Sequence, residues 1–253
     1  MNLLLLAQAA SGGPEAPSGW DHFLAVLPAL IRGAGITVCV AAAAEVIGVV
    51  IGLTIALIRL HGPWPLRWLV IAYVDAIRGT PLLVQILFLY FGVPALVIEL
   101  TGRPFSFGIS FNGHEWVQDA IVAGTLACGL NSGAYLSEIY RAALRSIDGG
   151  QAEAARSLGL GRLATFRHVV APQALVRALP PMGNELITLL KDTSLLSVIA
   201  VTEIVRTGQL YAARTYAVFP TYLAIAATYF VLVFTVSRLV NLLDRRLAAG
   251  TKR

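Results

Sequence analysis

The chain has 253 residues, of which 57% are hydrophobic and 13% charged, about half of the roughly 25% charged residues typical of soluble domains. With a mean hydropathy of +0.74, one globular core cannot hide this much apolar surface behind so few charges, which excludes an ordinary water-soluble fold. The excess of 19 Lys and Arg over 14 Asp and Glu forms no compact basic tract with interleaved aromatics, so it reads as the loop bias of a membrane protein and not as a nucleic-acid surface.

In chain order, residues 1–9 hold an apolar run too short for a signal-peptide core and have no basic start. Residues 11–19 are rich in Ser, Gly and Pro. Residues 1–20 are therefore expected to be an uncleaved, poorly ordered tail, with order beginning near Trp20. A bilayer crossing needs about 20 mostly apolar residues, and five segments supply it: 34–58, 69–98, 118–140, 179–202 and 217–240. A continuous helix from Asp21 to Ile58 exceeds the hydrocarbon thickness, so Pro28, Arg32, Gly33 and Gly35 are expected to mark an interfacial lead-in. Thirteen of the 19 cations fall on one set of loops and the C-terminal tail. The positive-inside rule then places the C-terminus in the cytoplasm and the N-terminus outside, as an odd number of spans requires.

Ionisable residues inside spans are costly and face partners or polar cavities. Asp75 and Arg78 stand three apart on one helical face, which suggests an internal ion pair. Gly79, Thr80 and Pro81 follow, and Pro81 breaks the second span, exposing backbone groups to protein, water or a ligand. The alternative to the ion pair is a substrate path lined by Arg78 and Thr80, with Glu185 meeting an amine. Glu185 also reads as a helix–helix hydrogen-bonding group. Lys191 and Asp192 fit a packing and gating network, Glu138 with Arg141 a structural pair, and Glu45 has no assignable partner. The two cysteines, Cys39 and Cys128, and four scattered histidines form no disulfide framework, metal site or nucleophile–base arrangement.

Residues 146–172 are too organised for a linker. Their alanines, leucines and the Glu153–Arg156 spacing favour a short amphipathic helix ended by Gly159 and Gly161. Glu153-Ala154-Ala155, three residues to Gly159, nine more to Val169, and then Pro172 resemble the cytoplasmic signature of bacterial ABC-importer permeases, with Val169 and Ala171 as apolar departures. The stretches 78–85, 133–141 and 184–195 resemble the polar amino-acid subfamily, and the resemblance covers residues 30 to 245.

The resemblance implies an all-α type I importer permease: a transmembrane domain over 21–245 with a coupling loop at 146–172 and a cytoplasmic tail at 246–253. Glu153, Ala154, Ala155, Gly159, Leu160 and Gly161 would couple to an ATP-binding subunit that holds ATP and Mg. It further implies a second permease subunit, identical or related, an extracytoplasmic solute-binding protein, membrane lipid around the spans, and an amino-acid substrate carried across the bacterial inner membrane. No phosphate-binding loop occurs in the chain, so energy is expected from the partner. The rivals are a gradient-driven secondary transporter using Glu45 and Glu185 as proton carriers, and a non-transporting scaffold.

Overall fold

The computed structural model describes residues 18–111 and 114–250. Most of the expected N-terminal tail and the last three residues lie outside this range. Helix α1 runs Gly19–His61 and starts from a reciprocal cap, in which the Ser18 hydroxyl accepts from the Asp21 amide and the Asp21 carboxylate accepts from the Ser18 amide at 2.7 Å. The stretch from Pro28 to Gly35, expected as a lead-in, belongs to one continuous 43-residue helix that accommodates Pro28. At 1.5 Å per residue α1 is about 64 Å long, twice the hydrocarbon core, so its outer turns stand beyond the lipid tails. They pack there as the expected lead-in: Val26 and Leu30 are buried with Ile204, Ala224 and Ile225.

The second crossing is segmented into α2 (Trp64–Arg78), α3 (Leu82–Leu87), a π turn Phe88–Gly92 and α4 (Val93–Thr101). A short antiparallel hairpin, β1 (Ile109–Phe111) and β2 (His114–Val117), precedes α5 (Asp119–Arg145). Then come α6 (Gly149–Ser157), α7 (Arg162–Thr165), a π turn Phe166–Val170 and α8 (Ala171–Asp192). A 3-10 segment Thr193–Ile199 leads to α9 (Ile204–Thr215) and α10 (Val218–Gly250). The hairpin and α9 are the elements that the five-span reading lacked.

Among the described residues, three helices are both long and apolar enough to span a bilayer: α1, the α3–α4 unit and α10. The other two crossings, α5 and α8, have the length but not the hydropathy. Helix α5 lies in the interior, where it buries Asn131, Ser132 and Ser137. Lipid supplies no hydrophobic force between helices, so close approach depends on small residues. Two Gly-x-x-x-Gly pairs meet here, Gly48 and Gly52 on α1 against Gly129 and Gly133 on α5. A Cβ at Gly133 would stand 2.6 Å from Ile51 Cγ2, and one at Gly52 would stand 2.8 Å from Leu136 Cβ and 3.0 Å from the Ser137 nitrogen.

This seam predicts a contrast within one helix. Gly52→Ala forces backbone apart and should cost about 1–3 kcal/mol, lowering the melting temperature of the purified protein. Gly35→Ala, which meets nothing within 4 Å, should be neutral or slightly stabilising. Equal melting of the two variants would contradict the seam.

Candidate functional site

The break in the second crossing follows from Pro81. Without an N–H, Pro81 cannot bond the Ile77 carbonyl four residues back, and the turn displaces the Ala76 and Thr80 carbonyls as well. The chain itself satisfies all three. The Thr80 hydroxyl donates to the Ala76 carbonyl at 2.9 Å, and the Gln85 side-chain amide donates to the Ile77 carbonyl at 2.7 Å and the Thr80 carbonyl at 3.1 Å. Of the three partners open to these groups, protein, water or a ligand, the chain supplies the first through Thr80 and Gln85. Its remaining oxygen accepts from the Asn131 amide at 3.0 Å, tying the break to α5.

One turn of α5 gathers the other intramembrane polar groups. Ser132 donates to a Glu45 carboxylate oxygen at 3.4 Å, while Glu185 and Asp192 lie on α8. Glu45 therefore has a partner that its position in sequence did not reveal. Tyr135 lies beneath the Arg78 guanidinium, 5.3 Å from ring centroid to Cζ. Arg78 is held by this cation–π contact and not by the expected ion pair, since no such pair joins Asp75 to Arg78 among the described residues. Both side chains are exposed. Lys191 and Asp192 stand where α8 tightens into the 3-10 segment, and Lys191 lines an open groove with Ser194 and Tyr229.

About one turn further along α5, Glu138 pairs with Arg141, as expected, and also with Arg59 of α1. Arg177 of α8 donates to the Ser146 hydroxyl at 3.0 Å, fixing the exit from α5. The segment that follows is the expected short helix, α6, with the Asp148 carboxylate capping the Gly150 amide at 2.8 Å. No ion pair joins Glu153 to Arg156 among the described residues; the helix is held by its ends. Its C-terminus closes by a 6→1 bond from the Leu160 amide to the Ala155 carbonyl and a 5→2 bond from Gly159 to Arg156, with Gly159 left-handed at φ +88°. Ala155 is buried, whereas Leu158 and Leu163 are 82% and 79% exposed.

The family model for the binding-protein-dependent transport system inner membrane component matches residues 48–249. The chain belongs to this family. As a member it is a transport component and not an enzyme. It is 36% identical to the glutamine transport system permease protein GlnP of Escherichia coli K12, over 90% of this chain and 97% of that protein. It is 35% identical to the probable amino-acid permease protein YxeN of Bacillus subtilis, over 90% of this chain and 96% of that one. Among solved structures, an amino acid ABC transporter crystallised with histidines superimposes with a TM-score of 0.75 at 34% identity, covering 97% of this chain and 99% of that one. The inward-facing methionine transporter MetNI shares the fold, with a TM-score of 0.64 at 20% identity over 86% of this chain and 95% of its own.

Of the residues singled out from sequence, the fold of this permease groups Arg78 and Thr80 at the break and Glu185 with Glu45 around Ser132, all against one turn of α5. Gln85, Asn131, Ser132 and Glu203 were not singled out. Glu203 is fully buried, capping the Val205 and Arg206 amides at 2.8 and 2.7 Å and accepting from the Tyr229 hydroxyl at 2.9 Å. The signal for Gln85 was its place four residues after Pro81, one turn from the orphaned carbonyls. Replacing Gln85 by Leu leaves the Thr80 carbonyl and the Asn131 amide unpaired and the Ile77 carbonyl with only the long contact from the Thr80 amide at 3.5 Å, and should cost about 1–3 kcal/mol, read as a lower melting temperature of the purified protein. Asp75→Asn, which breaks no bond here, should melt with the wild type. A Gln85→Leu protein as stable as wild type would contradict the cap.

Proposed function

We propose that this permease carries a polar amino acid inward across the bacterial inner membrane, driven by ATP hydrolysis in a separate subunit that docks on α6. The observation that carries the reading is similarity along almost the whole chain to a permease named for glutamine and to an amino acid ABC transporter. In this account 21–245 form the transmembrane domain, the loop 146–172 lies in the cytoplasm with the C-terminus, and the N-terminus lies outside. The partners are an ATP-binding subunit holding ATP and Mg, a second permease subunit that completes the path, and an extracytoplasmic solute-binding protein. The cation bias of the loops supports this orientation. A cysteine at Gln151 in a Cys39→Ser/Cys128→Ala background should then resist impermeant thiol reagents in intact cells, while one at Arg103 should react. Reversed labelling would overturn the topology.

Coupling is assigned to Glu153, Ala154, Ala155, Gly159, Leu160 and Gly161. The α6 cap keeps the exposed Leu158 and Leu163 in fixed register, so motion of the ATPase passes to α5 and α8 as rigid-body displacement. A left-handed position costs an L-residue roughly 1–2 kcal/mol, so Gly159→Ala should already uncouple uptake at normal membrane levels of the protein. Gly149→Ala, at a position with open space and no positive φ, should not. Normal uptake by Gly159→Ala would remove the docking role.

The substrate path is assigned to Arg78, Thr80 and Glu185, with Gly79, Pro81, Lys191 and Asp192 as breaks that let the helices flex. Arg78 suits a carboxylate, and Glu185 beside Glu45 suits an amine. Arg78→Gln removes a charge-assisted bond of about 1.5–3 kcal/mol and should raise the solute concentration for half-maximal uptake roughly 10- to 150-fold without loss of protein. An unchanged half-maximal concentration would take Arg78 out of the path.

A further inference from the structure

Beside the coupling segment lies a cavity of about 630 Å³ between the end of α1 and the loop, lined by His61, Arg156 and Arg162 together with Leu57, Leu163 and Phe166. His61 is fixed by an edge-on contact with Phe166, ring centroids 5.9 Å apart. Neither arginine enters an ion pair among the described residues. Leu57 and Phe166 also line a second, apolar groove of about 310 Å³ that continues between α1, α5 and α8 past Leu53, Tyr140 and Leu175. From Val49 to Leu57 this groove follows α1 for about 12 Å, close to the depth of one leaflet. The exposed Trp64 and Trp68 just beyond His61 mark the level of the headgroups.

From this continuity of a cationic cavity with an apolar groove, we infer a binding site for an anionic phospholipid. The phosphate sits between Arg156 and Arg162 beside His61, and one acyl chain lies in the groove along Leu53 and Leu175. A free phosphate would use only the cationic end, and a neutral lipid only the apolar one. The joined pair fits a molecule with both. The site is independent of which solute the permease carries, and it places a lipid against both the coupling segment and the crossings that segment moves.

The test uses the transporter purified with its associated subunits, in nanodiscs of phosphatidylcholine containing a minor fraction of phosphatidylglycerol, with retained lipid counted by native mass spectrometry. The wild type should retain phosphatidylglycerol preferentially. Arg156→Gln/Arg162→Gln should weaken retention about 30-fold, two cationic contacts of about 1 kcal/mol each at 1.4 kcal/mol per tenfold. Leu175→Trp, which fills the groove, should also reduce it, and glycerol 3-phosphate should not compete. In the wild-type complex, phosphatidylglycerol with a photoreactive acyl chain should label the segments 49–57 and 171–182, a readout that needs no variant. Competition by glycerol 3-phosphate with retention unchanged in Leu175→Trp would make this a soluble-anion site and overturn the proposal. Absence of labelling in those segments would overturn it equally.

Discussion

The whole arrangement depends on the contact between α1 and α5, where glycines on both helices bring the backbones together in a medium that gives no hydrophobic reward for doing so. Because α5 is held there, its lipid-free faces can carry polar side chains at no cost in exposure. Asn131, Ser132 and Tyr135 then reach three different neighbours within one turn: the break before α3, the carboxylates of α1 and α8, and the guanidinium of Arg78. A second cross-link about one turn further along α5, Glu138 with Arg59 and Arg141, binds the same two helices.

The rule that backbone groups in lipid must be satisfied internally explains where the chain departs from regular helix. At Pro81 the freed carbonyls are taken by Thr80 and Gln85; at the start of α9 the free amides are taken by the buried Glu203, which also holds the Tyr229 hydroxyl. At both points side chains of the chain itself close the opening, Gln85 reaching back to the Ile77 carbonyl and Glu203 to the Val205 and Arg206 amides. The broken helix is therefore self-capped, its freed carbonyls covered by side chains.

Much of this was legible in the sequence. Hydropathy located the outer crossings because they face lipid, and the alanines and leucines before Gly159 located the short helix α6, whose end needs a left-handed glycine. Helix α9 was not legible: its outer position gives no long apolar run, and its N-cap, Glu203, is an uncommon cap residue. The Asp75–Arg78 pair was misleading, since helical spacing permits a contact without requiring one, and an aromatic ring from α5 competed successfully for the guanidinium. The two Gly-x-x-x-Gly patterns were present in the sequence but carry meaning only when paired, which spacing within one helix cannot reveal.

The central claim is that this chain forms a path whose opening is powered through α6 by a partner's ATP. It is tested most directly by uptake of radiolabelled polar amino acids into proteoliposomes containing the complete transporter and its solute-binding protein. The account predicts uptake that requires ATP and Mg on the side bearing α6 and that persists when a protonophore collapses any proton gradient. Uptake driven by an imposed proton gradient without ATP would contradict it and make the carboxylates around Ser132 carriers of protons instead.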